Sequence, residues 1–137
     1  MSYLIDTNVL SELVRPKPDK HVIEWFDNVP NEALFISVLT IGEIYKGIEK
    51  LPDGNRQEKL RVWLKYELPA WFGNRVLAID AATAYRWGHL MVKAKRTLAT
   101  IDSLLAAQAL HHELSMVTRN DKDFSFPDLE VINPWKK

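Results

Sequence analysis

The stretch Tyr3-Leu4-Ile5-Asp6-Thr7-Asn8-Val9-Leu10 decides the fold class. A short apolar run of strand character feeds directly into a polar Asp-Thr-Asn turn, after which apolar residues return at helical spacing. Tyr3-Leu4-Ile5 is therefore expected as a first strand, followed by a short helix from Thr7 to Val14 that stops before Arg15-Pro16-Lys17-Pro18. Both flanking groups of the turn belong to regular elements, so Asp6 stands where a strand ends and a helix begins.

Moving outward, the same alternation recurs to the end of the chain. Val22, Trp25, Phe26 and Val29 form a helical stripe that ends near Pro30, and Ala33 to Val38 reads as the second strand. Thr40 to Lys50 is the next helix, with a turn at Leu51-Pro52-Asp53-Gly54-Asn55. From Arg56 to Trp71, Leu60, Trp63, Leu64 and Leu68 share one face of a helix, and Arg75 to Ile79 forms the third strand. A helix from Ala81 to about Arg96 is expected to bury Ala84, Tyr85, Gly88, Met91 and Val92. Ile101 to Glu113, rich in alanine and leucine, reads as a buried helix before a fourth strand at Ser115 to Thr118 and a last one at Glu130 to Ile132. Strands alternating with helices predict an α/β fold, a three-layer α/β/α sandwich with a mainly parallel central sheet. The 137 residues suit one domain, 1–137, and no repeat, linker or low-complexity segment divides them.

Composition narrows the chemistry. There is no cysteine, so thiolate zinc sites, redox pairs and disulfide scaffolds are excluded and any metal must sit on oxygen or histidine. The four histidines, His21, His89, His111 and His112, lack the spacing of a metal pair on one helix face. No apolar stretch has the length of a signal peptide or a membrane span, so the chain is expected to be soluble and cytoplasmic, with no membrane association. Eighteen basic residues balance eighteen acidic ones, which denies the chain the overall positive charge of many nucleic-acid binders. Arg15, Lys17, Lys20, Lys46, Lys50, Lys93, Lys95, Arg96, Arg119 and Lys122 are available for local basic patches, although such charges are ordinarily solvated surface. Trp25 and Trp63 lie on apolar stripes and read as core or dimer contacts rather than base-stacking platforms.

In an open parallel sheet, right-handed crossovers gather strand C-termini and helix N-termini along one edge, where ligands bind. Asp6 follows the first strand, and Glu43 lies in the first turn of the helix after the second. Asp102 lies in the first turn of the helix leading to the fourth strand, and Asn120, Asp121 and Asp123 follow that strand. Each position alone has a plain explanation. Asp6 would cap a helix, Thr40 and Glu43 would form a capping box, Asp102 would favour a helix dipole, and Asp121 and Asp123 would be turn residues. Capping does not require acids at all four stations, however, and clustered carboxylates stay ionised only when a cation compensates them. Oxygen ligands select Mg²⁺ or Mn²⁺, an ion suited to activating a water for attack on a phosphodiester. Asp6 and Asp102 are expected to bind the first metal, with Glu43 orienting or deprotonating the attacking water or helping with a second ion. Thr7, Asn8 and Thr118 would give hydrogen-bonding support. The fourth station is left among Asn120, Asp121 and Asp123.

These residues and their neighbours resemble the PIN-domain family, most closely its VapC-type toxins of bacterial type II toxin–antitoxin systems. The resemblance rests on Leu4-Ile5-Asp6-Thr7-Asn8-Val9-Leu10, on Ile41-Gly42-Glu43-Ile44 with Gly47-Ile48, and on Ile101-Asp102-Ser103-Leu104-Leu105-Ala106-Ala107-Gln108-Ala109. It continues through Val117-Thr118-Arg119-Asn120, Asp123-Phe124 and Asn133-Pro134-Trp135, so it spans essentially the whole chain. It implies a Mg²⁺-dependent endoribonuclease acting on transfer, ribosomal or messenger RNA. It further implies a homodimer with its surface on the early helices, and a small cognate antitoxin whose C-terminal segment enters a groove and whose N-terminal part binds operator DNA. The family's first three acids fall on Asp6, Glu43 and Asp102. The chain departs from the pattern at the fourth, having Asn120 two residues after Thr118 and Asp123 just before Phe124. Two other readings compete. A receiver-like signalling domain needs paired acids after the first strand, a phosphoacceptor aspartate after the third and a lysine after the fifth, whereas this chain has a lone Asp6, an unaccompanied Asp80 and an end at Ile132-Asn133-Pro134. A catalytically inactive binding module would keep the fold without the chemistry, against which the three intact acids stand.

Overall fold

The computed structural model describes residues 1–136; the domain span assigned from sequence ends on Lys137, which lies outside the described residues. Five strands, β1 (Tyr3–Ile5), β2 (Leu34–Ser37), β3 (Val76–Leu77), β4 (Ser115–Val117) and β5 (Val131–Ile132), pair in parallel in the order β3-β2-β1-β4-β5. The chain builds outward from β1 on one side, through β2 to β3, then crosses to add β4 and β5 on the other. That reversal puts a topological switch point between β1 and β4, where a crevice opens outside the strand ends.

Alternation along the central strands shows that both faces are covered. Leu4 and Met116 are buried in one core with Leu105, Ala106, Ala109, Leu114 and Phe124, while Ile5 and Val117 enter the other with Leu34, Ile36, Ile44 and Phe72. The helices α1 (Thr7–Leu13), α2 (Lys20–Asp27), α3 (Val38–Glu49), α4 (Asn55–Val62) and α5 (Leu68–Phe72) serve the second core. An aromatic chain runs through it, from Tyr3 to Trp25, Phe26, Trp71 and Phe72, with ring centroids 4.6 to 5.8 Å apart. Trp25, Phe26 and Val29, in and just after α2, are partly buried against this core, while Ile23, Val38, Tyr45 and Val62 remain exposed. The helix α7 (Thr100–His111) backs the first core and is buried nearly all round at Ser103 and from Leu105 to Ala109.

Several sequence expectations need correction. The helix foreseen over Arg56 to Trp71 is interrupted by a wider π turn at Trp63–Glu67 that joins α4 to α5. Pro69 has no N–H to complete an α-helical bond one turn back, and the π turn absorbs that gap. The third strand is only two residues long because the carbonyls of Leu77 and Ala78 turn to Gln108 Nε2, which donates to them at 3.0 and 3.1 Å. The largest difference is at α6 (Ala81–Lys93), which buries Thr83 and half-buries Trp87 and Leu90. Its expected core face points outward, with Tyr85 and Val92 each 83% exposed.

Candidate active site

Asp6 sits at the switch point. Its backbone N–H donates to Val117 O at 2.9 Å, so the end of β1 is tied to the end of β4. Its side chain caps α1 through Oδ1, which accepts from Thr7 N at 2.8 Å, and Oδ2 accepts from the Thr118 hydroxyl at 2.7 Å. Thr118 is fully buried, and its Oγ1 in turn accepts from Asn120 N at 3.1 Å. Asn8 adds a second tie, its Oδ1 accepting from Arg119 N at 3.2 Å. The cap foreseen at Asp6 is real, but it uses one oxygen and leaves the carboxylate 5% exposed at the crevice.

Glu43 is brought in by α3. This helix begins at Val38, two residues earlier than expected, with Ser37 as its cap: Ser37 Oγ accepts from Leu39 N at 3.1 Å. The capping box with Thr40 is therefore absent and Glu43 lies in the second turn rather than the first. Released from capping, its Oε1 accepts from the Thr7 hydroxyl at 2.7 Å. Thr7 thus joins two acids, through its N–H to Asp6 and its hydroxyl to Glu43.

Asp102 lies in the first turn of α7, as expected, and shares a small hollow with Asp123, Arg96 and Phe126. Asp121 and Asp123 occupy one 3₁₀ turn, Asp121–Phe124, but part company there. Asp121 pairs with Lys136 Nζ at 2.8 Å, which holds its carboxyl below the usual carboxylate range. Asp123 instead lies within electrostatic reach of Asp102. Of the three residues left open for the fourth station, Asp123 is the one that joins the cluster, Asn120 serves it through its backbone, and Asp121 is engaged elsewhere.

The electrostatics carry the mark of this crowding. Burial raises Asp6 to a pKa of about 6, and the charges of Asp102 and Glu43 add to that rise against the lowering effect of the Thr118 and Thr7 hydrogen bonds. Asp102 is raised too, first by burial and then by Asp123 and Glu43. The ion pairs found among the described residues engage Glu12, Glu49, Glu58 and Asp121, and none of the four clustered acids. Four carboxylates from distant parts of the sequence thus face one edge, none of them in an ion pair among the described residues. Such a set either shares protons or holds a cation.

A model of the PIN domain matches residues 3–128. The chain belongs to this family. Three relatives match over nearly all of both chains: plasmid stability protein StbB of Pseudomonas syringae pv. tomato, 38% identical over 97% of this chain and 98% of its own; toxin FitB of Neisseria gonorrhoeae, 33% over 96% and 97%; and VapC ribonuclease Y4jK of Sinorhizobium fredii, 32% over 97% and 97%. Among solved structures, FitAcB of Neisseria gonorrhoeae aligns with a TM-score of 0.92 at 32% identity, covering 98% of this chain and 99% of that one. FitAB bound to a DNA fragment aligns at 0.91 with 29% identity over 98% and 96%. A toxin–antitoxin complex from Klebsiella pneumoniae aligns at 0.73 with 27% identity over 99% and 100%. The α/β PIN-domain architecture expected from sequence is the one observed.

Sequence reading missed two features of this site. The Thr7 to Glu43 bond joins residues 36 apart and no local pattern announces it. Arg96 was one of ten scattered cations, and only the fold places it beside Asp102 and Asp123.

Proposed function

We propose that this PIN-domain protein is a Mg²⁺-dependent endoribonuclease, the toxin of a toxin–antitoxin pair, cutting RNA phosphodiesters at the edge that carries Asp6, Glu43, Asp102 and Asp123. The observation that carries the reading is the acidic cluster at the switch point, whose crowding raises the proton affinity of Asp6 and Asp102. The relatives named as a VapC ribonuclease and as the toxin FitB support the activity and the toxin role over the full length of the chain.

The donor set fits Mg²⁺, with Mn²⁺ as its close substitute. Every candidate ligand is a carboxylate oxygen, and among the described residues no three acidic or histidine side chains close to the spacing of a shared all-protein shell. Mg²⁺ keeps several of its waters and takes one or two carboxylates, so a shared shell of three protein ligands is not required to hold it. Asp6 and Asp102 are the residues to hold the ion. When bound, it supplies positive charge to a phosphoryl oxygen and lowers the pKa of a coordinated water. The Thr118 hydroxyl fixes one oxygen of Asp6 and Thr7 N–H fixes the other, so the carboxylate presents itself without rearranging. Glu43, oriented by the Thr7 hydroxyl, takes the proton of the attacking water, and Asp123 reinforces the negative charge beside Asp102.

The partners follow from the same reading: an RNA substrate, a small cognate antitoxin, operator DNA reached only through that antitoxin, and a second copy of the chain in a homodimer. A mostly apolar groove between α1, α3 and α4, walled by Val14, Ile44, Leu60 and Trp63 and ending at Glu43, offers a seat for an antitoxin segment. Among the described residues no helix is long and apolar enough to cross a membrane, and the proposed place of action is the cytoplasm. The test is cleavage of structured RNAs by the purified protein, free of antitoxin, in Mg²⁺ or EDTA, beside Asp6→Asn. Cleavage should need both the ion and Asp6; cleavage that survives chelation and substitution alike would refute the metal-assisted reading.

A further inference from the structure

The four acids create a difficulty for the substrate. An RNA phosphate must approach an edge that is itself anionic, and even one bound divalent ion leaves carboxylate charge in excess there. Most of the basic residues near the site are committed or loosely placed. Arg15 is paired with Glu12, and Arg56 Nη2 donates to Val14 O at 2.8 Å. Lys46 and Lys50 line a hollow with Glu43, but as point charges on flexible stems.

Arg96 differs from all of these. It lies in the connection between α6 and α7, and it lines the same small hollow as Asp102 and Asp123. Despite that company, it makes no ion pair among the described residues. Its guanidinium instead lies over the Phe126 ring, 4.8 Å from the centroid, and Nη2 donates to Ser125 O at 3.2 Å. The ring contact holds the guanidinium in place, and a single carbonyl occupies only one of its five N–H donors. The remaining fork has the geometry to grip two oxygens of a phosphate. Next to it, α7 begins at Thr100 behind the N-cap residue Ala99, which supplies no side-chain cap, so the helix's first N–H groups add to the pull on an anion at this hollow.

We propose that Arg96 is a phosphate-binding residue that seats the RNA backbone beside Asp102 and Asp123. This rests on the ribonuclease reading and goes beyond it by assigning the group that admits the substrate to an acidic edge. The stack on Phe126 would pre-orient the fork, so that little of its freedom is lost when RNA arrives.

The experiment measures binding of a labelled single-stranded RNA to the Asp6→Asn protein as salt is raised, with Arg96→Gln, Arg96→Lys or the exposed α6 residue Arg86→Gln added. In parallel, cleavage by the protein with Asp6 intact is followed in Mg²⁺. Arg96→Gln should flatten the log–log salt slope by about 0.7, the loss of one phosphate contact on a single strand. Arg96→Lys keeps the charge, so it should restore most of the slope while binding more weakly than the arginine fork, and Arg86→Gln should leave both alone. In cleavage, Arg96→Gln should raise KM about tenfold, the loss of one charge-assisted hydrogen bond, with a smaller effect on kcat. A slope unchanged in Arg96→Gln, or flattened equally by Arg86→Gln, would overturn the assignment while leaving the ribonuclease reading intact. Absence of both binding and cleavage by the unsubstituted protein would instead overturn the ribonuclease reading, and this assignment with it.

Discussion

Asp6 shows what the crowding of acids at this edge costs in stability. Its carboxyl titrates at about 6 in the folded protein against an ordinary 3.8, because burial disfavours the charge before its acidic neighbours add their share. The folded state therefore holds this proton more tightly than the unfolded chain. Stability from Asp6 is fully present below the unfolded value and is lost as pH rises through about 6, on the order of 3 kcal/mol for a shift of this size. Asp6→Asn cannot ionise, so in EDTA at pH 7 it should unfold at higher urea than the unsubstituted protein, by about 1 to 3 kcal/mol, and should show a flatter stability profile between pH 4 and pH 6. A variant less stable at pH 7 would contradict the burial of a charged Asp6. Thr118→Val removes the hydroxyl that fixes Asp6 Oδ2 while keeping the shape of the side chain, and should weaken Mn²⁺ binding about tenfold in a calorimetric titration. Asp121 and Asp123 make a paired test: Asp123→Asn should slow RNA cleavage and Asp121→Asn should not, because Lys136 already engages Asp121. This distinction was illegible in the sequence, where two aspartates separated by one residue look alike and the ion pair that separates them comes from Lys136, beyond the last strand.

At the scale of elements, local pattern located most helices and strands and failed where a neighbour decided. The first strand and α1 were readable because Tyr3 to Leu10 carries its own strand, cap and helix signals. The start of α3 was misplaced because Thr40 and Glu43 imitate a capping box, while Ser37 caps the helix first and frees Glu43 for Thr7. In α6 two stripes compete at helical spacing. Thr83, Trp87 and Leu90 win the core, since Trp87 brings a large ring whose Nε1 donates to Ser103 Oγ at 2.9 Å, whereas Ala84 and Gly88 have little area to bury. Thermal and urea unfolding should reflect this choice. Val92→Ser should change stability by no more than about 0.5 kcal/mol, and Trp87→Ala should cost about 2 to 4 kcal/mol. A large loss from Val92→Ser would restore the face expected from sequence.

For the whole molecule, the decisive fact is that one edge collects acids separated by as many as 117 positions of chain, from Asp6 to Asp123. The convergence itself was legible, because a parallel sheet sends every strand end to that edge; the hydrogen bonds that tune it, from Thr7 and Thr118, required the three-dimensional arrangement. Expression of the protein alone should arrest growth, Asp102→Ala should relieve that arrest, and so should co-expression of the cognate antitoxin. The most direct test of the account is Mn²⁺ binding followed by electron paramagnetic resonance on the metal-free protein. The free-ion signal should fall on addition of the unsubstituted chain and should return largely to full intensity with Asp6→Asn or Asp102→Asn. Equal binding by all three proteins would show that the clustered carboxylates are not what holds the ion.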